Sequence, residues 1–476
     1  MERHYRLAWA LLDGGWQRDV GVRVDEQGRI AHIETERPPT GRPAPQATAP
    51  AERVAGFVVP GMPNAHSHAF QRAMAGSTEY RLSTRDSFWT WRQAMYALAR
   101  RIAPPDLELV ATQLFVEMLK SGYTSVAEFH YLHRQADGTA YPATNDLWEA
   151  IARAADAAGI ALTFLPTLYQ TSDFGSQPLK PEQSRFAMTT DEFLRAIETR
   201  VRAERHLAAP LIRTGAAFHS LRAVPLETLR EAARGLSSID ADLPVHIHIA
   251  EQQKEVAACR ASTGHRPIEL LLATGVVDEH WCLVHATHAT PAELQGIADA
   301  RAAVCVSIST EANLGDGCFD AARFLESRGR ICIGSDSQAT VCPAEELRWM
   351  EYQARLRKRR RGVLADAAEP HVGTRLWRAA ARHGAAALGQ PAGVIAAGAR
   401  ADWVVLDHEH PSMAGAGAAT ALDHLIFAGA SAAIRDVMVA GRWVVKDGRH
   451  AAEDRLAVPF KELMGRLALE GAATLG

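Results

Sequence analysis

Apolar and polar positions along the chain fall into two regimes. Over residues 1 to about 55, three short strand-like stretches (5–12, 20–24 and 30–33) are separated by Asp13-Gly14-Gly15 and Asp25-Glu26-Gln27-Gly28, which read as turns. Such a piece of antiparallel sheet cannot bury its face alone. Residues 38–50, rich in Pro, Ala and Thr, predict a surface loop. From residue 56 onward, apolar runs of strand length alternate with amphipathic segments. The runs are 56–59, 125–132, 161–168, 211–218, 244–250, 281–285, 302–308 and 331–335. Between them lie helical patterns such as 106–120, 146–158, 191–206, 225–236 and 291–300, the last following Thr290 in the manner of an N-cap. Continuously apolar strands joined by helices predict a parallel sheet covered on both faces. Eight of them is the number that closes a (β/α)8 barrel of TIM type, whose active sites lie at the C-terminal ends of the strands.

After a helical stretch near 374–388, strand character returns at 401–407, 434–439 and 442–445, with Ala440-Gly441 as a hairpin turn. The chain is therefore expected to be α/β, with a barrel over 56–388. A small β-sandwich domain is expected from both termini, 1–55 and 389–476.

Composition narrows the function class. At 476 residues the chain is long enough for a barrel plus a smaller domain. With 47% apolar residues, 22% charged residues and a formal net charge of −3, it gives no reason to expect nucleic acid or an anionic membrane as partner. No apolar run approaches the roughly 20 residues that span a bilayer. Residues 7–12 are too short for a signal sequence, so the expected location is the cytoplasm. The six cysteines include no CxxC pair, and Cys282, Cys305 and Cys332 lie in strand-like runs as small buried apolar groups.

The chemistry-bearing residues sit where the predicted strands end. His66 and His68 are two apart, so in extended backbone both imidazoles face one way and can share a metal at roughly 2 Å. An HxH pair alone is equally well explained as two buried, hydrogen-bonded histidines. Its partners decide otherwise. The fifth run carries His246, His248 and, three residues on, Glu251; the sixth ends at His285, followed by His288; the eighth leads into Asp336. Four strand ends bearing histidines and carboxylates on one catalytic rim make a purely structural role improbable.

These words resemble the amidohydrolase superfamily. The stretches Met62-Pro63-Asn64-Ala65-His66-Ser67-His68-Ala69-Phe70-Gln71-Arg72, His246-Ile247-His248-Ile249-Ala250-Glu251-Gln252 and Gly334-Ser335-Asp336-Ser337-Gln338 are, within it, similar to the formimidoylglutamate deiminase family. The resemblance covers nearly the whole chain. It implies one zinc ion held by His66, His68, His248 and Asp336, with Glu251 as proton shuttle, His285 stabilising the attacking hydroxide, and Asp336 also catalytic, able to accept the water proton while ligating. The metal type stays open, since His3Asp sites also accept iron or manganese. Ligation lowers the pKa of a bound water towards about 7. Attack on an amidine carbon then expels ammonia, and Glu251 returns a proton to the departing nitrogen. Two-metal members use a lysine at the end of strand four, where this chain reads Phe218-His219-Ser220-Leu221-Arg222.

The implied reaction is hydrolysis of N-formimino-L-glutamate to N-formyl-L-glutamate and ammonia, a step in histidine breakdown, by a homodimeric enzyme. A substrate with two carboxylates calls for arginine forks. The resemblance selects Arg92 and Arg222, with Tyr131 and His219 assisting and Gln71 at the formimino end. His246 is read as a core or supporting residue, because a fifth protein ligand would close the site. His130, His133 and His288 have spacings that permit pocket roles. Two rivals remain: a deaminase of guanine- or cytosine-type bases, and a non-catalytic relative. The second would have lost some of the six metal and shuttle residues, all of which are present here.

Overall fold

The structure is a computed structural model that describes residues 2–35, 51–79, 88–141, 146–207 and 210–475. The loop expected at 38–50 lies outside the described residues. The three N-terminal stretches form β1 (Arg3–Leu12), β2 (Gly15–Val24) and β3 (Ile30–Glu34), an antiparallel meander. The next strand, β4 (Glu52–Pro60), lies parallel to β1. It contains the run at 56–59, which the pattern assigns to the barrel. That assignment is corrected here: the run belongs to the small domain, and the barrel begins with β5 (Met62–Ser67).

The switch occurs at Gly61. Its N–H donates to Asp402 O of the small domain at 3.0 Å, whereas the next N–H, of Met62, donates to Gly122 O beside the barrel at 3.1 Å. β4 is apolar on both faces because each face meets a different core. Val54 and Val58 pack within the small domain, while Phe57 and Val59 join the large core of the barrel. A strand buried on both sides carries no period-2 signal, so its pattern matches that of a barrel strand.

The barrel continues with β6 (Tyr123–His130), β7 (Ala161–Leu168), the split fourth strand β8 (Ile212–Thr214) and β9 (Ala216–Phe218), then β10 (Val245–Ile249), β11 (Trp281–His285), β12 (Ala303–Val306) and β13 (Arg330–Ile333). All pair in parallel, in the order β13-β12-β11-β10-β9-β7-β6-β5, with β8 beside β7. Amphipathic helices cover them, among them Pro104–Lys120, Asp146–Ala158, Thr190–Glu204 and Pro291–Asp299. Thr290 caps the last of these: its hydroxyl accepts from Glu293 N at 3.2 Å, and the Glu293 carboxylate accepts from Thr290 N at 2.7 Å.

β5 and β13 close the barrel without a regular ladder. One bridge joins Ser67 to Asp336, and the N–H groups of Ser335 and Asp336 both donate to His66 O, at 3.1 and 3.0 Å. Gly334 makes this approach possible, since a Cβ there would lie 2.7–2.9 Å from His66 atoms. Side chains complete the seam. Asn64 Nδ2 donates to Ser335 Oγ at 2.6 Å, Ser335 Oγ to Gln338 Oε1 at 2.7 Å, and Gln338 Nε2 to Ser67 Oγ at 3.1 Å. Ser67 Oγ in turn donates to buried Glu128 at 2.8 Å.

After the helix Val372–Ala387 the chain returns to the small domain through β14 (Trp403–Leu406), β15 (Ile434–Val439), β16 (Arg442–Lys446) and β17 (Arg449–His450). Its strand order is β17-β16-β15-β14-β4-β1-β2-β3. The sandwich-like core comes from this one sheet curling over itself. Tyr5 of β1 meets Trp443 of β16 edge-on at 6.1 Å although three strands separate them in the sheet. No helix among the described residues is long and apolar enough to cross a membrane.

Candidate active site

The C-terminal ends of the barrel strands turn sharply inward. Ala250, His285, Ala286, Asp336 and Gln338 all adopt positive φ, between 46° and 70°, a conformation that non-glycine residues rarely take. These turns aim His248, Glu251, His285 and Asp336 at a common centre, where β5 delivers His66 and His68. All six are buried.

Four ligand atoms meet there. His248 Nε2 lies 3.0 Å from His66 Nε2 and 3.3 Å from His68 Nε2, and Asp336 Oδ1 lies 3.3 and 3.4 Å from the same two nitrogens. The ring hydrogen bonds say what these contacts are. His68 Nδ1 bonds to Phe129 O at 2.8 Å and His248 Nδ1 to His219 O at 2.9 Å. A carbonyl only accepts, so each Nδ1 carries the proton and each neutral ring presents an Nε2 lone pair to the other. Two lone pairs 3.3 Å apart make no hydrogen bond. They do match the edge of a tetrahedron, about 3.4 Å for bonds of about 2.1 Å. The donor set therefore fits one divalent cation, and backbone carbonyls already fix two of its imidazoles. Burial pushes the His66 imidazole down to about 3, which keeps it neutral and available as a ligand. No other cluster of His, Cys, Asp and Glu ligand atoms assembles among the described residues, the cysteines included.

Glu251 and His285 stand beside this cluster. His285 Nε2 lies 3.8 Å from Glu251 Oε1 and 3.7 Å from Asp336 Oδ2, too far for direct hydrogen bonds and spaced for a small molecule between them. Burial, with the Asp336 charge adding, raises the Glu251 carboxyl to about 7 against the attraction of His285 and Arg222. Burial would lower the His285 imidazole, but Glu251, Glu311 and Asp336 lift it to about 10. Burial opposes ionisation of Asp336 too, yet the surrounding histidines hold its carboxyl below the ordinary range.

Above the cluster opens a cavity of about 570 Å3, open solvent at its mouth included. Gln71, Arg92, Tyr131, His219 and Arg222 all line it, so every substrate contact expected from the sequence reaches one space. Gln71 Nε2 donates to Tyr131 Oη at 2.9 Å, which leaves its buried Oε1 as an unused acceptor. Among the described residues, neither Arg92 nor Arg222 has an ion pair, and the Nε of each is buried without a hydrogen-bond partner. Trp91, Tyr96, Tyr169 and Phe186 supply aromatic wall.

The histidines left open by the sequence are not in this lining. His130 and His133 bond to the carbonyls of Leu132 and Thr167, each at 2.8 Å, and His246 to Ala387 O at 2.8 Å. His288 packs near Gly317. Sequence reasoning missed Glu311. Fully buried in the short helix Ile308–Leu314, it lies 3.3 Å from His285 Nδ1 and accepts from Ser307 N at 3.2 Å. Its signal was the one that marked Glu251 and Asp336, a carboxylate just past a barrel strand. Trp89 and Lys254 were missed as well, and nothing in their spacing brings them together.

Residues 57–444 match the description "Amidohydrolase family". The chain is 49% identical over 458 residues to the formimidoylglutamate deiminase of Pseudomonas aeruginosa, covering 96% of this chain and 98% of the relative. The crystal structure of an amidohydrolase from Brucella melitensis superposes with a TM-score of 0.88 at 40% identity, over 98% of this chain and all of that one. A zinc-bound adenosine deaminase from Xanthomonas campestris shares the fold, with a TM-score of 0.79 at 22% identity over 98% of both chains.

Proposed function

The chain belongs to the amidohydrolase family, and from that premise we infer that it hydrolyses N-formimino-L-glutamate to N-formyl-L-glutamate and ammonia, as the name of its Pseudomonas aeruginosa relative describes. One observation carries the choice of substrate within the family. Neither Arg92 nor Arg222 has an ion pair among the described residues, and both line the cavity beside the cluster. A guanidinium with a buried, unpartnered Nε gains from pairing with an anion, so two of them call for a ligand bearing two carboxylates. A flat, neutral base would leave both unsatisfied.

His66, His68, His248 and Asp336 would hold the metal, which we take to be zinc. Bound there, a divalent ion supplies Lewis-acid activation of water at neutral pH. The remaining work falls to the chain. Arg92 and Arg222 hold the carboxylates, and the free Oε1 of Gln71 accepts from an amidine N–H. These contacts bring the amidine carbon over the gap between Glu251 and His285. Glu251 takes the proton of the attacking water at Oε1 and returns it to the departing nitrogen. A carboxyl raised to about 7 suits both halves of that transfer. His285 donates from Nε2 to the attacking oxygen, and Asp336 stays ionised throughout. Attack forms a C–O bond, collapse breaks the C–N bond, and the nitrogen leaves as NH3. The homodimer and the cytoplasmic setting that the resemblance implies belong to the same reading.

The test is ammonia release by the zinc-loaded protein from N-formimino-L-glutamate, with guanine and cytosine alongside. Turnover of the first alone is expected. Turnover of a base instead, or of none despite one bound metal per chain, overturns the assignment.

A further inference from the structure

Three cationic side chains from three elements converge on one indole. Trp89 lies in the first turn of the helix Phe88–Arg101. The guanidinium carbon of Arg92, one turn further on, lies 4.5 Å from its ring centroid. Lys254 Nζ, from the helix Gln253–Thr263, lies 4.4 Å away. Arg222, from the loop after β9, completes the set at 5.9 Å. Phe88 braces the indole edge-on at 5.0 Å. None of the three cations is ion-paired among the described residues.

An indole face attracts each cation through its quadrupole, and tryptophan does so most strongly of the aromatic residues. The ring does not neutralise them, however. Like charges around one ring repel one another, and a bound carboxylate relieves that repulsion. Glu251 and Glu255 act on Arg222 from a distance, but both stay beyond ion-pair reach. The gathered charge is therefore available to whatever enters the cavity that Arg92 and Arg222 line.

We propose that Trp89 is a specificity-determining residue: it holds Arg92, Arg222 and Lys254 around one ring, and so selects a substrate with two carboxylates over one with a single carboxylate. The proposal rests on the deiminase reading above. Trp89 is a positioning residue, acting on the substrate through the two arginines. Lys254 is exposed, so it extends the same field towards solvent.

The experiment compares the parent with Trp89→Leu and Trp89→Phe on two substrates. One is N-formimino-L-glutamate, and the other is its analogue with the side-chain carboxylate replaced by a carboxamide. For Trp89→Leu, KM for the dicarboxylate should rise about 10-fold or more, with kcat changed by about 3-fold or less. KM for the carboxamide analogue should move far less, so the preference between the two collapses. Trp89→Phe keeps a ring and should restore most of that preference. Equal loss on both substrates, a fall in kcat alone, or unchanged kinetics would each overturn the proposal. A parent that releases no ammonia from N-formimino-L-glutamate would instead remove the deiminase reading, and the parent is measured first.

Discussion

Two HxH pairs lie on barrel strands, and the structure uses them differently. In His66-Ser67-His68 both imidazoles enter the cluster. In His246-Ile247-His248 only the second does, although alternation puts both on the interior face of β10. The ring nitrogens mark the difference. The backbone takes Nδ1 of His248 and leaves Nε2 for the cluster, whereas Ala387 O takes Nε2 of His246. Ala387 ends the helix Val372–Ala387, whose continuation packs across the lower barrel, where Leu388 O accepts from Thr163 Oγ1 at 2.8 Å. One spacing thus yields a proposed ligand on the rim and a strut in the base. Which nitrogen the backbone occupies separates the two roles.

The largest effect expected from breaking this contrast comes at the two ends of one pair. His248→Ala should lose the bound metal and roughly a thousandfold or more in kcat/KM. His246→Ala should keep its metal but leave Ala387 O unpaired, costing about 2 kcal/mol of stability. Metal analysis beside thermal melts reads both. Equal metal loss in the two variants would erase the distinction.

A third imidazole sharpens it. The Nδ1 of His285 rests on Glu311, a carboxylate rather than a carbonyl, and a charged partner supports an imidazole that must stay protonated. Glu311→Leu should lower kcat about 10- to 100-fold with KM and metal content unchanged. Glu311→Gln, which keeps an acceptor oxygen, should recover part of the loss. A rise in KM with kcat intact would remove Glu311 from the role of positioning His285.

The smallest effect concerns the residue between the histidines. Ile247 packs in the core, whereas Ser67 donates to Glu128, whose carboxyl burial raises to about 8. A folded-state value above the ordinary 4.5 means the folded protein holds this proton more tightly than the unfolded chain. The associated stability is complete below about pH 4.5 and is lost as pH rises through about 8. Melting temperature should therefore fall by a few degrees more in the parent than in Glu128→Gln between pH 5 and 8. Parallel pH profiles would exclude Glu128 as the source.

How far the sequence reveals this molecule follows from what a one-dimensional pattern contains. Barrel strands and their rim residues are legible because each strand is apolar and each ligand sits at a strand end. The first barrel strand is displaced because β4, buried on both faces, imitates one. Glu311 obeys the strand-end rule and was open to the same reading. The Trp89 cluster was not, since its members stand up to 165 positions apart and meet only through the packing of separate elements.

The barrel seam has a consequence for how the protein is made. Strands β5 and β13 meet through one bridge and a few side chains, and the proposed ligands stand on both sides of that join. His66 and His68 emerge early from the ribosome, and Asp336 follows some 270 residues later. The coordination shell is incomplete until the last barrel strand has been synthesised and has docked against the first. An ion held by the proposed ligands would act as a clasp, tying maturation of the enzyme to closure of its fold.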